Sequence, residues 1–176
     1  MRATLRVLLA ARLLGAGAAI GLLGAGCGAA AAPIGCDQFK WPIAHEQAAL
    51  AAPAGGPLAP GATLPADSGA RLKLIPFGEA KLALAPERPP KFSPSFAGAY
   101  FLDAPAAPGV YKVTLSAGAW IDVVQDGKFL KSVAFSEANG CANARKSVKF
   151  RFAAEPATLQ LTGVGDPDVA IIVSPE

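Results

Sequence analysis

The chain has 176 residues, of which 52% are hydrophobic and 16% are charged, with 16 Lys and Arg against 13 Asp and Glu. Three of the cations lie before residue 33, so residues 33–176 carry 13 cations against 13 acids. A formally neutral chain gives no electrostatic reason to bind nucleic acid or an anionic membrane surface.

Residues 1–32 have the pattern of a signal peptide. Arg2, Arg6 and Arg12 precede an apolar stretch, 13–26, that is about as long as the hydrophobic region of such a peptide. A membrane-spanning helix needs roughly 20 apolar residues, so an uncleaved N-terminal anchor is the alternative. We predict export of the mature chain to the periplasm or out of the cell.

Two cleavage sites remain open. Residues 23–27 resemble the lipobox of bacterial lipoproteins, in which Cys27 would be lipidated and would begin the mature chain, although Gly24 stands where that motif normally has Leu. The alternative is an ordinary small-residue site within residues 29–32. A lipid on Cys27 is the only further membrane attachment that we predict.

The three cysteines are Cys27, Cys36 and Cys141. If Cys27 is removed or lipidated, the other two would pair in an oxidising compartment. Such a bridge closes a loop of roughly 100 residues, to which the chain-entropy treatment assigns about 4–5 kcal/mol. Two unpaired thiols are the alternative.

Residues 33–61 are predicted to form a short helix and a linker ahead of the main domain. Pro42 suits the first helical turn and Pro53 ends the run, so we expect a helix from about Ile43 to Ala52. The stretch 53–70 is rich in Pro, Gly and Ala and lacks periodicity. We expect it to be mobile or to lie flat on the domain surface.

Residues 62–176 show the apolar and polar alternation of short strands, about ten residues apart. This spacing and the Gly and Pro turns between the strands indicate a mostly β domain, a single antiparallel β-sandwich of the jelly-roll kind. The expected strands lie near 70–74, 81–84, 99–102, 111–115, 119–125, 128–133, 148–152, 159–161 and 169–173.

Asp126-Gly127 lies between two β-rich runs and predicts a two-residue hairpin turn. Such a turn would pair Asp122 with Lys131 and Trp120 with Val133.

Several segments resemble the bacterial pre-peptidase C-terminal domains, which are small jelly-roll sandwiches appended to secreted enzymes. The likeness covers about residues 96–174 and consists of turns and apolar alternation, without a diagnostic motif. It extends to short exported proteobacterial proteins, and it implies a sandwich and export but no reaction. The matching segments are GVYKVTLS (109–116), WIDVVQDGK (120–128), SVKFRF (147–152) and LQLTG (159–163).

Catalytic motifs are scarce. His45 is the only histidine, so a two-His metal site cannot form, and the sequence has no GxSxG, P-loop, dinucleotide fingerprint or CxxC. We expect no catalytic residue and no cofactor. The alternative is an envelope hydrolase that uses carboxylates from distant loops.

Four aromatic residues are candidates for ligand binding. Trp41, Trp120, Tyr100 and Tyr111 could form a platform that stacks sugars, as in lectin-like sandwiches. The alternative places Trp120 and Tyr111 in the core and Trp41 as a cap beside the disulfide.

Two charged groups are weaker candidates. Asp166 and Asp168, with Asp122 or Asp126, could supply oxygens to calcium, although Asp beside Gly and Pro usually forms turns. The cations Arg145, Lys149 and Arg151, with Lys146 nearby, could form a basic strand face, but a solvated face is the alternative.

Together these patterns favour a non-catalytic exported binding or structural module of the cell envelope. We expect an envelope protein as the partner, with a glycan as the alternative, and we expect no nucleic acid. A protein-binding surface would keep an exposed apolar patch on the folded domain.

Overall fold

A computed structural model describes residues 34–176, and the predicted signal peptide and Cys27 lie outside these described residues. The α-helix is α1 (Ala44–Ala51), and two short 3-10 helices cover Cys36–Gln38 and Phe77–Glu79. The ten strands are β1 (Ala70–Lys73), β2 (Ile75–Pro76), β3 (Phe96–Leu102), β4 (Gly109–Leu115), β5 (Trp120–Gln125), β6 (Lys128–Phe129), β7 (Ser132–Glu137), β8 (Lys146–Phe152), β9 (Ala157–Val164) and β10 (Asp168–Pro175).

The antiparallel strand pairs are nested along the sequence, with each pair enclosed by the one before it. β1 pairs with β10, β3 with β9, β4 with β8 and β5 with β6, all antiparallel. These nested pairs alternate between two five-stranded sheets, sheet I in the order β1-β10-β4-β8-β7 and sheet II in the order β2-β3-β9-β5-β6. This is a jelly-roll arrangement, so the predicted fold class is confirmed.

The core lies between the two sheets. Alternate residues of each strand point inwards, as the period of two requires, and the predicted inward positions Val148, Phe150 and Phe152 of β8 are all buried. Full burial of one such side chain contributes about 1.5–3 kcal/mol. The fully buried side chains include Tyr100, Val113, Leu115, Val123, Leu159, Leu161 and Ile171.

The N-terminal segment covers the outer face of sheet I. Phe39, Ile43 and Leu50 form a second apolar cluster with Ile172 on β10. Helix α1 begins one residue later and ends one residue earlier than predicted, with Ile43 at its N-cap. Helix α1 has 8 residues, which is too short for a helix to be stable alone. Packing on the sheet therefore holds it in place.

The predicted disulfide is present. Cys36 and Cys141, which lie 105 positions apart, form a disulfide bond. Beside it, Gln47 of α1 donates a hydrogen bond from Nε2 to the carbonyl oxygen of Ala142, at 3.0 Å. The disulfide thus joins the N-terminal segment to the loop between β7 and β8.

The Pro- and Gly-rich stretch lies along the sandwich and is hydrogen-bonded to both sheets. Leu58 forms an isolated bridge to Leu72 in β1, and Thr63 forms one to Phe101 in β3. Leu64 is buried in the main core. Of the two predicted alternatives, the structure has this stretch packed on the domain.

The tight turn of the predicted hairpin is confirmed. Asp126 and Gly127 both have positive φ, 50° and 67°, and Val124 pairs with Phe129 across the turn. Positive φ at both central residues is the signature of a type I′ turn.

The predicted pairing beyond this turn is wrong. Asp122 does not pair with Lys131, nor Trp120 with Val133, because β6 ends at Phe129 and the chain crosses to sheet I, where β7 pairs with β8. Asp122 and Trp120 instead pair with residues of β9.

The predicted strand at 81–84 is also absent, since the described residues from 80 to 95 carry no strand. In place of a neighbouring strand, the side chain of Gln160 forms hydrogen bonds with the backbone of this stretch. It accepts a hydrogen bond from the Leu84 N–H at 3.3 Å and donates one to the Leu84 carbonyl at 3.1 Å. This stretch therefore lies across the outer face of sheet II.

Candidate binding cleft

A cleft of about 570 Å³ opens on one side of the sandwich. It lies where β6 is the last strand of sheet II and β7 is the last strand of sheet I. Its walls come from residues 87–92, the start of β5, β7 and the first half of β8. Concave sites of this size, apolar with a few polar groups, are the usual location of ligands.

Trp120 is the central side chain of the cleft. Its indole Nε1 donates a hydrogen bond to Asp122 Oδ1 at 2.6 Å. The Arg88 guanidinium carbon lies 4.5 Å from the centre of the indole ring, and Lys146 Nζ lies 5.8 Å from it. Asp122 also accepts a hydrogen bond from the Glu87 N–H, at 3.3 Å. The proline-rich loop is thus fastened to β5, with a cation against the ring.

Cations outnumber acids along the cleft. The charged lining residues are Arg88, Lys91 and Lys146 against Glu87 and Glu137. Glu137 is partly neutralised from outside the cleft by Arg145, whose Nη1 lies 3.5 Å from its carboxylate. The cleft therefore favours an anionic ligand.

Lys146 is the most perturbed cation of the cleft. Burial lowers the pKa of its ammonium group below the ordinary value of 10.5; Arg145, Arg88 and Lys91 act in the same direction, whereas Glu137 opposes the shift. Its Nζ donates one hydrogen bond, to the Ala119 carbonyl at 2.8 Å. Since an ammonium group has three N–H donors, it can also serve a ligand.

Large apolar side chains remain exposed at the cleft. Phe92 is 50% exposed and Phe135 is 56% exposed, and both line the cleft. Val133 of β7 is also 52% exposed, but it does not line the cleft. Adjoining exposed apolar side chains on a folded surface are typical of an interaction site.

Thr162 adds an unsatisfied polar group. Its side chain lines the cleft and is fully buried, and its Oγ1 has no hydrogen-bond partner among residues 34–176. It lies opposite Trp120 in the pairing of β9 with β5. A buried hydroxyl without a partner costs about 1–3 kcal/mol, so the group is unusual.

Of the four predicted aromatic residues, Tyr100 lies in the core and Tyr111 is partly buried against it. Tyr100 is completely buried in the core, where burial raises the pKa of its phenol and its hydroxyl donates a hydrogen bond to the Lys73 carbonyl at 3.2 Å. Tyr111 packs edge-on against Phe152, with ring centres 5.4 Å apart. Tyr100 offers no surface to a ligand.

The two tryptophans lie on different surfaces. Trp41 covers the outer face of sheet I, where Nε1 donates a hydrogen bond to Ser147 Oγ at 3.2 Å and Lys149 Nζ lies 4.2 Å from the ring centre. Trp120 lies in the cleft. The four aromatic residues therefore do not form one platform, and of these only Trp120 lines the cleft.

The carboxylates of the acidic candidates Asp166 and Asp168 are engaged in a hydrogen bond and an ion pair within the domain. Asp166 Oδ1 accepts a hydrogen bond from the Asp168 N–H at 2.8 Å, and the Asp168 carboxylate lies 2.9 Å from Lys73 Nζ. Within the described part of the chain, no group of three or more His, Cys, Asp or Glu residues could hold a metal ion. His45 is exposed and lies 2.8 Å from the Asp67 carboxylate.

The basic candidates separate onto two faces of β8. Lys149 lies under Trp41 on the outer face and pairs with Glu176, and Arg151 is exposed. Lys146 points the other way, into the cleft. Lys146, which was predicted only to lie near the basic face, is thus not part of it.

Sequence reasoning singled out Trp120 but not the rest of the cleft. Arg88, Lys91, Phe92 and Phe135 all lie outside the predicted strands, so no sequence pattern placed them near Trp120. The local signal in the loop is a pair of cations, Arg88 and Lys91, on either side of Pro89-Pro90, whose φ angles are restricted.

No helix among residues 34–176 is long and apolar enough to cross a membrane. Comparison of the chain with family models, with curated proteins and with solved structures found no significant match. The resemblance to pre-peptidase C-terminal domains stays a prediction.

Proposed function

We propose that the chain is a non-catalytic, exported binding module of the cell envelope that holds an acidic and apolar segment of a partner protein in its cleft. The observation that carries this proposal is the exposure of Phe92 and Phe135 beside a surplus of cations. The disulfide supports export, because such bonds persist in oxidising compartments.

A protein segment suits the cleft better than a neutral glycan. A sugar stacks on an open aromatic face, but the Trp120 ring has Arg88 over it and the Trp41 ring has Lys149 over it. Lys40 Nζ likewise lies 5.0 Å from the centre of the Phe135 ring. Among the described lining residues, the exposed aromatic face left open is that of Phe92, where an apolar side chain of a partner can pack.

The test uses the full chain with Trp41→Phe, which leaves Trp120 as the single tryptophan and therefore as a reporter within the cleft. Two short blocked peptides serve as probes, one alternating Phe with Glu and the other alternating Phe with Lys. We expect the Glu peptide to change the tryptophan fluorescence and to bind about tenfold or more tightly than the Lys peptide.

A matched pair of variants locates the interaction. Phe135→Ser should weaken binding of the Glu peptide about tenfold or more. Phe101→Ser is the control, since Phe101 is 53% exposed and does not line the cleft. Equal affinity for the two peptides, or equal loss in both variants, would contradict the proposal.

A further inference from the structure

We propose that the part of the cleft around Trp120 is a carboxylate subsite, in which Lys146, Thr162 and Arg88 together bind one carboxylate of the partner's acidic segment. This inference rests on the proposed function and names the chemical group that the cleft recognises.

The hydroxyl of Thr162 is the first observation. Thr162 is fully buried, lines the cleft and has an Oγ1 without a hydrogen-bond partner among the described residues. Buried polar groups in folded proteins are nearly always hydrogen-bonded. Because Oγ1 is closed to water, a ligand oxygen would reach this unused donor only after neighbouring lining side chains shift.

The cations around the ring are the second observation. Among residues 34–176, the six ion pairs within 4.0 Å include none with Arg88, Lys91 or Lys146. Arg88 and Lys146 both lie within 6 Å of the centre of the Trp120 ring, at 4.5 and 5.8 Å. Arg88 is among the charges that lower the pKa of Lys146, so the two cations repel each other, and a shared anion would relieve that repulsion.

The formal charge of the lining residues, taken alone, suits a single carboxylate. The cleft lining has three cations against two acids, so one monoanionic group makes it neutral. Guanidinium and ammonium groups donate charge-assisted hydrogen bonds to carboxylates, and guanidinium can do so through two N–H groups at once. A partner carboxylate would also favour the charged form of Lys146.

The probe for the subsite is phenylacetate, and its neutral isostere phenylacetamide is the matched control ligand. Binding is followed by Trp120 fluorescence in the full chain with Trp41→Phe. We expect phenylacetate to bind about tenfold or more tightly than the amide. Lys146→Gln should remove this preference, whereas Lys128→Gln should keep it, because Lys128 is 82% exposed and does not line the cleft.

Thr162→Val separates a ligand-binding hydroxyl from a structural one. The substitution removes an unsatisfied group while nearly keeping the shape, so the melting temperature of the free protein should rise or stay unchanged. Its affinity for phenylacetate should nevertheless fall about fivefold or more. Unchanged affinity in this variant, or equal affinity of the unsubstituted cleft for both probes, overturns the subsite.

The source of the carboxylate is tested with the Phe–Glu peptide and with trigalacturonate as an acidic glycan. Binding of both phenylacetate and the peptide, with trigalacturonate weaker, supports the proposal. If the peptide binds in the cleft but phenylacetate does not, the subsite is wrong and the proposed function stands. Binding of trigalacturonate but not of the peptide overturns the protein source, and with it the proposed function.

Discussion

The carboxylate of Glu46 on α1 lies 2.5 Å from the ammonium group of Lys112 on β4, although the Glu46 side chain is only 1% exposed. Ser174 on β10 donates a second hydrogen bond to the same carboxylate, at 2.6 Å. The N-terminal segment is thus attached to sheet I by a buried charged pair as well as by the apolar cluster.

Removing one member of this pair should be severely destabilising. Glu46→Ala leaves the Lys112 ammonium group largely buried without its partner, and we expect the free energy of unfolding to fall by about 3–5 kcal/mol in urea denaturation. Glu46→Leu combined with Lys112→Met is the matched control, since it replaces both charges with apolar groups. The double variant should recover most of the loss, and an equally unstable double variant would contradict this account.

The same pair predicts how acid affects stability. Burial raises the pKa of Glu46, but hydrogen bonds from Lys112 and Ser174 outweigh it and hold the pKa below its ordinary value of 4.5. Because the folded protein lowers this pKa, the ionised carboxylate stabilises the fold above pH 4.5, and this contribution is lost as the pH falls through the lowered pKa.

Urea denaturation as a function of pH measures this loss. Glu46→Gln keeps the side-chain shape but cannot ionise, so its stability should fall less steeply between pH 4.5 and the acid limit than that of the unsubstituted protein. Identical slopes in the two proteins would assign the acid sensitivity to other carboxylates.

Local patterns were sufficient for most of the strands, for the helix and for the turn, but not for the strand predicted at 81–84. The alternation of β8 sets which side chains face the core, and Asp126-Gly127 sets a turn type, because both depend on a few neighbouring residues. The disulfide also followed from counting cysteines in a chain that the sequence predicts to be exported.

The positions at which the chain changes sheet could not be predicted from such patterns. A continuous β-rich run from residue 128 to 133 is divided between the two sheets after Phe129, and alternation is the same whichever sheet a strand joins. The cleft forms at this division and collects Arg88, Trp120, Phe135 and Lys146 from separate segments. Its residues become neighbours only through long-range packing, which the sequence pattern does not specify.

Substitution of Gly69, which directly precedes β1, tests how closely α1 approaches sheet I. A Cβ at this position would lie 2.1 Å from the Ala49 carbonyl oxygen, which belongs to the helix backbone. Gly69→Ala must therefore displace α1, and we expect a loss of about 2–4 kcal/mol in urea denaturation. Gly56→Ala is the control, because a Cβ there meets nothing within 4 Å. Equal stability of the two variants would contradict the close approach.

The disulfide should account for a large share of the stability of the domain. Cys36 and Cys141 are 105 positions apart. Closing a loop of about 100 residues lowers the entropy of the unfolded chain and so raises the free energy of unfolding by about 4–5 kcal/mol. For a domain of this size that corresponds to a fall in melting temperature of roughly 10–15 °C on reduction.

Calorimetry with and without reductant measures this shift, and Cys36→Ser with Cys141→Ser provides the matched control. The double variant should melt at the temperature of the reduced protein and should not respond to reductant. If the melting temperature stays the same while two further thiols become titratable, the long loop contributes little. The N-terminal segment would then be held on sheet I mainly by its packing, by the Glu46–Lys112 pair and by hydrogen bonds such as that from Trp41 to Ser147.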